Sequence, residues 1–219
     1  MQVFCDFDGT ISVADSTDHV LRHLADPAWE ALEDDWVAGR IDAAACMRGQ
    51  VALIGGSDAE LDAVLSAVTL DPGFAAFADW CATAGVPLTI VSDGVDRFIR
   101  AILAREGLAH LPVISNRLAG EAGARRLEQP HRREGCGAGS GVCKCEATAR
   151  LTAPDQAVVY IGDGRSDFCV SGRADILFAK AALADYAAGR ARPYHSFRTF
   201  HDITTTLSAL KGDRRVTAS

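Results

Sequence analysis

Short apolar runs that end in small, acidic or hydroxylic residues recur along the chain, each followed by apolar positions at helical spacing. Residues 4–5 run into Asp6-Phe7-Asp8-Gly9-Thr10, and residues 86–91 (VPLTIV) stop at Ser92-Asp93-Gly94. Residues 157–161 (AVVYI) stop at Gly162-Asp163-Gly164-Arg165-Ser166-Asp167, and shorter runs lie at Val113-Ile114 and at 176–179. After the second run, Val95, Phe98, Ile99, Ile102 and Leu103 repeat as one face of a helix. Strands apolar on both faces and alternating with helices predict an α/β fold, a Rossmann-like parallel sheet covered on both sides. In such sheets the site lies beyond the carboxyl ends of the strands, where every polar cluster named here falls.

Residues 13–72 break this alternation with helical pattern alone. Val20, Leu21 and Leu24 mark one helix, Trp29, Leu32 and Trp36 a second, Met47, Val51 and Ile54 a third, and Leu61, Val64, Leu65 and Val68 a fourth. The joints are Asp26-Pro27, Gly39 and Gly55-Gly56. The reading is a core of residues 1–12 and 73–219 with a small α-helical cap inserted at 13–72. Towards the C-terminus, 181–191 reads as a helix, 194–200 as a short edge strand, and a last helix ends near Lys211 before a polar, disordered tail.

Asp6 and Asp8 flank one residue where a buried strand becomes a turn, a placement that suits a nucleophile beside an acid/base on a bound cation. Two such carboxylates repel unless a cation or proton lies between them, and a small hard ion such as Mg²⁺ suits the donor set. Ser92 either meets a ligand or caps the helix that follows it. Asp163 and Asp167, four apart after a strand, suit a metal, a helix cap, or both. Lys144 is one of only three lysines, which makes it a candidate rather than an ordinary solvated charge.

The ordered set Asp6-Phe7-Asp8-Gly9-Thr10, Ser92, Lys144 and Gly162-Asp163 with Asp167 resembles the four motifs of the haloacid dehalogenase superfamily, over residues 4–167. The resemblance implies that Asp6 attacks phosphorus and that Asp8 protonates the leaving oxygen and later deprotonates water. It implies that Ser92, with Asp93 and Gly94, and the Gly9 amide hold phosphoryl oxygens, and that Lys144 neutralises charge. Mg²⁺ would rest on Asp6, the Asp8 carbonyl and Asp163, with Asp167 ligating it or orienting a water. Asp8 argues for a phosphatase or phosphotransferase over a dehalogenase. The cap resembles that of the phosphoserine-phosphatase-like branch, implying a small phosphorylated metabolite in a closed site, with Asp15 and Arg48 as cap-side substrate contacts. Gln50 stands where that branch has an arginine, which counts against phosphoserine.

The stretch 127–146 (LEQPHRREGCGAGSGVCKCE) resembles a subgroup acting on 2-hydroxy-3-keto-5-methylthiopentenyl-1-phosphate, which favours a phosphorylated carbonyl or enol metabolite. A phosphoserine or phosphoethanolamine phosphatase is the runner-up, and a non-catalytic phosphometabolite sensor is an alternative of another class. His131, Cys136, Cys143 and Cys145 supply four ligands for a structural Zn²⁺, free thiols or a reversible disulfide being the competing readings. Cys5, Cys46, Cys81 and Cys169 lie in apolar contexts and read as buried thiols.

A net charge of -7 gives no sign of nucleic-acid binding, and 48% hydrophobic residues over 219 positions support a sizeable core. No apolar run reaches a membrane span, so no membrane partner and a cytoplasmic location are expected.

Overall fold

The buried residues of the first strand alternate between the two sides of a sheet. In the computed structural model, which describes residues 1–216, Val3 and Cys5 of β1 (Gln2–Cys5) join one apolar cluster and Phe4 joins another. Seven strands form one sheet in the order β4-β3-β2-β1-β5-β6-β7. Besides β1 these are β2 (Leu88–Val95), β3 (Val113–Ala119), β4 (Arg126–Glu128), β5 (Val158–Gly162), β6 (Ile176–Ala179) and β7 (His195–Ser196). All neighbours are parallel except β3 and β4.

On one face lie α5 (Phe74–Thr83), α6 (Asp96–Arg105) and α10 (Phe200–Val216), through Phe74, Phe77, Phe98, Ile102, Phe200 and Leu207. On the other lie α7 (Lys144–Leu151), α8 (Phe168–Ser171) and α9 (Ala181–Ala188), through Ala147, Val170 and Leu183. The chain leaves β1 towards β2 on one side and later lays down β5 on the other. The strand order therefore reverses beside β1, and a crevice opens at the carboxyl ends of β1 and β5.

Four helices stand between β1 and α5: α1 (Ser16–Leu24), α2 (Trp29–Val37), α3 (Ala43–Ala52) and α4 (Asp58–Leu65). Local chemistry starts three of them. The side chains of Asp15 and Asp42 accept the amides of Asp18 and Ala45, and Ser57 with Glu60 forms a reciprocal capping box. The chain leaves and returns side by side, through an antiparallel bridge between Ser12 and Leu70.

Several boundaries differ from the sequence reading. β2 does not stop at Ser92 but continues to Val95, with an irregularity in its pairing to β3 between Val91 and Val95, so Ser92 lies within a strand and caps no helix. β4 has no apolar run and was not expected; it exists because β3 extends past the crevice and offers it an antiparallel partner. The last helix continues through Gly212 to Val216, and the remaining part of the expected tail, 217–219, lies outside the described residues. Among the described residues no helix is long and apolar enough to cross a membrane.

Candidate active site

The end of β1 is shaped by a turn in which the Phe7 carbonyl accepts the amides of Thr10, Ile11 and Ser12. Gly9 has φ +71°, a conformation that disfavours side chains, and an added Cβ would lie 2.5 Å from Asp163 Oδ2. The turn can thus press against the end of β5, where the Thr10 hydroxyl donates to Asp163 Oδ1 at 2.6 Å. It also sends the two carboxylates of the motif apart. Asp6 is buried, with Oδ1 accepting the Phe7 amide (2.8 Å) and Oδ2 facing Lys144 Nζ at 2.8 Å. Asp8 Oδ1 instead accepts the amide and hydroxyl of Ser16, at 2.7 and 2.6 Å, where α1 begins.

Lys144 is the first residue of α7 and is 1% exposed. Its ammonium also reaches Asp167 Oδ1 (2.7 Å) and Ser166 Oγ (2.9 Å). Burial alone would depress its pKa, but Asp167 and Asp6 outweigh burial and hold the ammonium above the ordinary lysine value. Asp167 is fully occupied: Oδ2 accepts the amides of Asp163 and Gly164 at 3.0 Å each, and Oδ1 accepts Lys144 and the Tyr160 hydroxyl at 2.5 Å. With about four lone-pair positions all engaged, Asp167 acts as the organiser of the β5 turn. Sequence reasoning missed Tyr160, because a hydroxyl inside an apolar strand leaves no mark on the pattern.

Asp6, Asp163 and Asp167 bring carboxylate oxygens within 4.8 Å of one another. The one ammonium among these three carboxylates pairs with Asp6 and Asp167 only: burial, then Asp167, pushes Asp6 well above the carboxylate range against the pull of Lys144, and burial raises Asp163. A hard divalent cation fits this set, with Asp6 and Asp163 as the carboxylates that, unlike Asp167, retain unengaged lone pairs. The Asp8 carboxylate is not part of the cluster; burial raises its pKa, and the two bonds from Ser16 oppose the rise.

A cavity of about 350 Å³ opens in front of these groups. Asp6, Asp8, Asp163, Ser92, Asp93 and Gly94 form its floor, and Asp15, Thr17, Glu33, Trp36, Met47 and Gln50 its far wall. Gly9, Lys144 and Asp167 do not line it; the last two lie buried behind Asp6. Ser92 Oγ accepts the Gly94 amide at 3.0 Å. Asp93 lies on that floor and also secures the approach to Lys144: its Oδ1 accepts the Val142 amide (2.9 Å) and Asn116 Nδ2 (3.1 Å). Burial pushes its carboxyl up to about 6.

Two cap-side and loop expectations are corrected. Arg48 does not face the cavity; it donates to Gln129 Oε1, while Gln50, two residues on, is buried in the wall with its amide 3.0 Å from Glu33 Oε2. Positions two apart on a helix point in different directions, so only one of the pair can serve the site. The zinc set does not assemble either. Cys145 is bonded to Cys169, with Cα atoms 6.6 Å apart, and the carboxylate trio above is the metal-type cluster among the described residues. Cys169 is therefore not a free thiol, whereas Cys5, Cys46 and Cys81 are buried and free.

A buried carboxylate held by a buried lysine, a second carboxylate aimed separately, and a cluster of three carboxylates at the switch point of a parallel sheet are the arrangement of a hydrolase of the phosphoryl-transfer type. The chain belongs to the haloacid dehalogenase-like hydrolase family, whose model matches residues 3–171. It is 32% identical, over 95% of its length and 96% of the relative's, to a 2-hydroxy-3-keto-5-methylthiopentenyl-1-phosphate phosphatase of Brevibacillus brevis, and 33% identical, over the same shares, to the enzyme of that name from Geobacillus thermodenitrificans. Similar solved folds include a probable phosphoserine phosphatase from Vibrio cholerae (TM-score 0.75, 19% identity, 95% of this chain and 64% of that one) and a substrate-bound phosphoserine phosphatase (TM-score 0.69, 17% identity, 94% and 97%).

Proposed function

We propose that this phosphatase of the haloacid dehalogenase-like family is Mg²⁺-dependent and hydrolyses a small phosphate monoester through an aspartyl-phosphate at Asp6. Its leading substrate class is a phosphorylated hydroxy-ketone or enol of the 2-hydroxy-3-keto-5-methylthiopentenyl-1-phosphate kind, the ester named for its relatives. The observation that carries the reading is the separate tethering of the two motif carboxylates, Asp6 on Lys144 and Asp8 on Ser16.

Held by Lys144, Asp6 presents an oxygen to phosphorus, and the bond from phosphorus to the ester oxygen breaks as the aspartyl bond forms. Asp8, whose pKa burial raises against the two bonds from Ser16, donates a proton to that oxygen; the resulting carboxylate takes a proton from the water that releases phosphate. Ser92 lies on the cavity floor within reach of a phosphoryl oxygen. Mg²⁺ held by Asp6 and Asp163 would supply further neutralisation of the phosphoryl charge. Asp167 serves by position, fixing Lys144 and the Asp163 backbone.

The fold neighbours keep a phosphoserine-type ester as a second reading, and Asp15 at the cavity wall favours an amine-bearing substrate. Against a carboxylate-bearing one stands Arg48, turned to Gln129. A sensor without turnover has no use for Asp8 tethered apart from Asp6. Phosphate release from enol, hydroxy-ketone, sugar, phosphoserine and phosphoethanolamine esters, with and without Mg²⁺, for wild type and Asp6→Asn, tests the proposal. Turnover requiring both Mg²⁺ and Asp6 is expected, with a loss of at least about 10³-fold in the variant. No release from any ester by folded, Mg²⁺-saturated wild type would overturn it.

A further inference from the structure

The bond between Cys145 and Cys169 lies next in sequence to the ion pair behind Asp6. Cys145 directly follows Lys144 at the start of α7, and Cys169 comes two residues after Asp167, as the second residue of α8. Lys144 Nζ meets Asp167 Oδ1 at 2.7 Å and Asp6 Oδ2 at 2.8 Å. One covalent bond therefore joins the two helices where their neighbouring residues form a buried ion pair. Among the described residues, the hydrogen bonds and ion pairs between α7 and the segment 163–171 are all made by Lys144 itself, to Ser166 and Asp167. Besides these, α7 and α8 are held together by apolar packing and by the cysteine bond.

A lysine ammonium sits on a stem of four rotatable carbons, so its place depends on where its backbone starts as well as on its partners. The start of α7 is pinned from one side by the strap, where Asp93 accepts the Val142 amide and the His131 carbonyl accepts the Cys143 amide, each at 2.9 Å. From the side of β5 the cysteine bond supplies the pin. Cys136 and Cys143, in the same stretch of chain, are free.

We propose that Cys145 and Cys169 are positioning residues for phosphoryl transfer: their bond keeps Lys144 and Asp167 in register, so that Asp6 is held for attack, and opening it by thiol–disulfide exchange lowers turnover reversibly. The proposal rests on the phosphatase reading and adds a thiol response of that same site. Cys169 is half-buried and Cys145 buried, so a dithiol reductant enters at the Cys169 sulfur. As the mixed disulfide forms, the electron pair of the broken bond leaves with the Cys145 sulfur, which takes up a proton. The second thiol of the reagent then displaces Cys169 as a thiol and closes the reagent's own disulfide, so two electrons and two protons pass from the reagent to the protein. Oxidised glutathione runs the exchange backwards.

The test is phosphate release from the ester that wild type hydrolyses best, before and after dithiothreitol and again after oxidised glutathione. Alkylation and mass spectrometry report the state of Cys145 and Cys169, and circular dichroism reports the fold. On reduction kcat is expected to fall about fivefold while KM stays within about twofold and the fold is retained; reoxidation restores kcat. Cys145→Ser/Cys169→Ser should start at the lowered kcat and answer neither reagent, whereas Cys136→Ser should respond as wild type does. Full alkylation of both cysteines with kcat unchanged, even if the melting temperature falls, would make the bond a brace of the fold alone and overturn the assignment. A response that survives in Cys145→Ser/Cys169→Ser would overturn it too, and either result leaves the phosphatase reading intact. Failure of wild type to release phosphate from any ester in both states overturns both.

Discussion

A methyl group at Gly94 would overlap Asp8 Oδ2 and crowd Ser92 Oγ at 3.1 Å. Gly94→Ala should therefore displace the Asp8 carboxylate while sparing the core, cutting kcat by about 10²-fold with little change in the urea midpoint. Asp93 offers a different readout. Its carboxyl is raised from 3.8 to about 6 by burial, so its contribution to stability is full below about pH 4 and is lost as pH rises through 6. Asp93→Asn can still accept from Val142 and Asn116 but cannot ionise. Wild type and variant should be equally stable near pH 4, and the variant ahead by up to about 3 kcal/mol at pH 7.5, measured by urea unfolding. Equal stabilities at both pH values would show that Asp93 is not raised. The polar clusters at strand ends were legible in the sequence because each follows an apolar run at once. Tyr160 and Asn116 were not, since each places its polar atom within a strand, and the pairing of Cys145 with Cys169 depends on where α7 and α8 meet.

At the scale of elements, the segment from Arg125 to Gly139 joins the helices before α5 to the sheet. Arg125, with its side chain 1% exposed, donates to the carbonyls of Gly55 and Ile54 and to Asp58 at 2.9 Å. Gln129 donates to the Ala44 carbonyl at 3.0 Å, Arg132 pairs with Asp42 at 2.8 Å, and the Gly139 carbonyl accepts the Ala44 amide at 2.9 Å. The stretch that looked like a metal loop is thus a strap across the start of α3. Arg125→Met strips partners from buried carbonyls and should cost about 2 kcal/mol in urea unfolding. Asp58→Ala, at a side chain 73% exposed, should cost less than about 1. The four helices could be placed from periodicity, but α3 (AAACMRGQVA) is built largely of small residues and does not announce its inner face. The pattern therefore could not say which of Arg48 and Gln50 turns towards the cavity, and the resemblance pointed to Arg48.

For the molecule as a whole, the sheet's open side is closed late in the chain. Phe200 at the start of α10 packs edge-on against Phe74 at 4.9 Å and lies 5.2 Å from Phe77, both on α5. The last helix is thereby joined to the helix that leads into β2. Phe200→Ala should cost about 3–5 kcal/mol and lower Tm by roughly 10 °C, as seen by calorimetry; a shift under about 3 °C would mean that the late helix closes little. The alternation of strand and helix made the parallel sheet readable, whereas β4 was hidden because a three-residue edge strand owes its existence to its neighbour. The Asp8 carboxylate is fastened by two bonds to Ser16, the first residue of α1, whose first turn lines the cavity. The place of that carboxylate at the cavity is therefore set by where α1 begins, and a substitution that shifts the start of α1 moves it without touching β1.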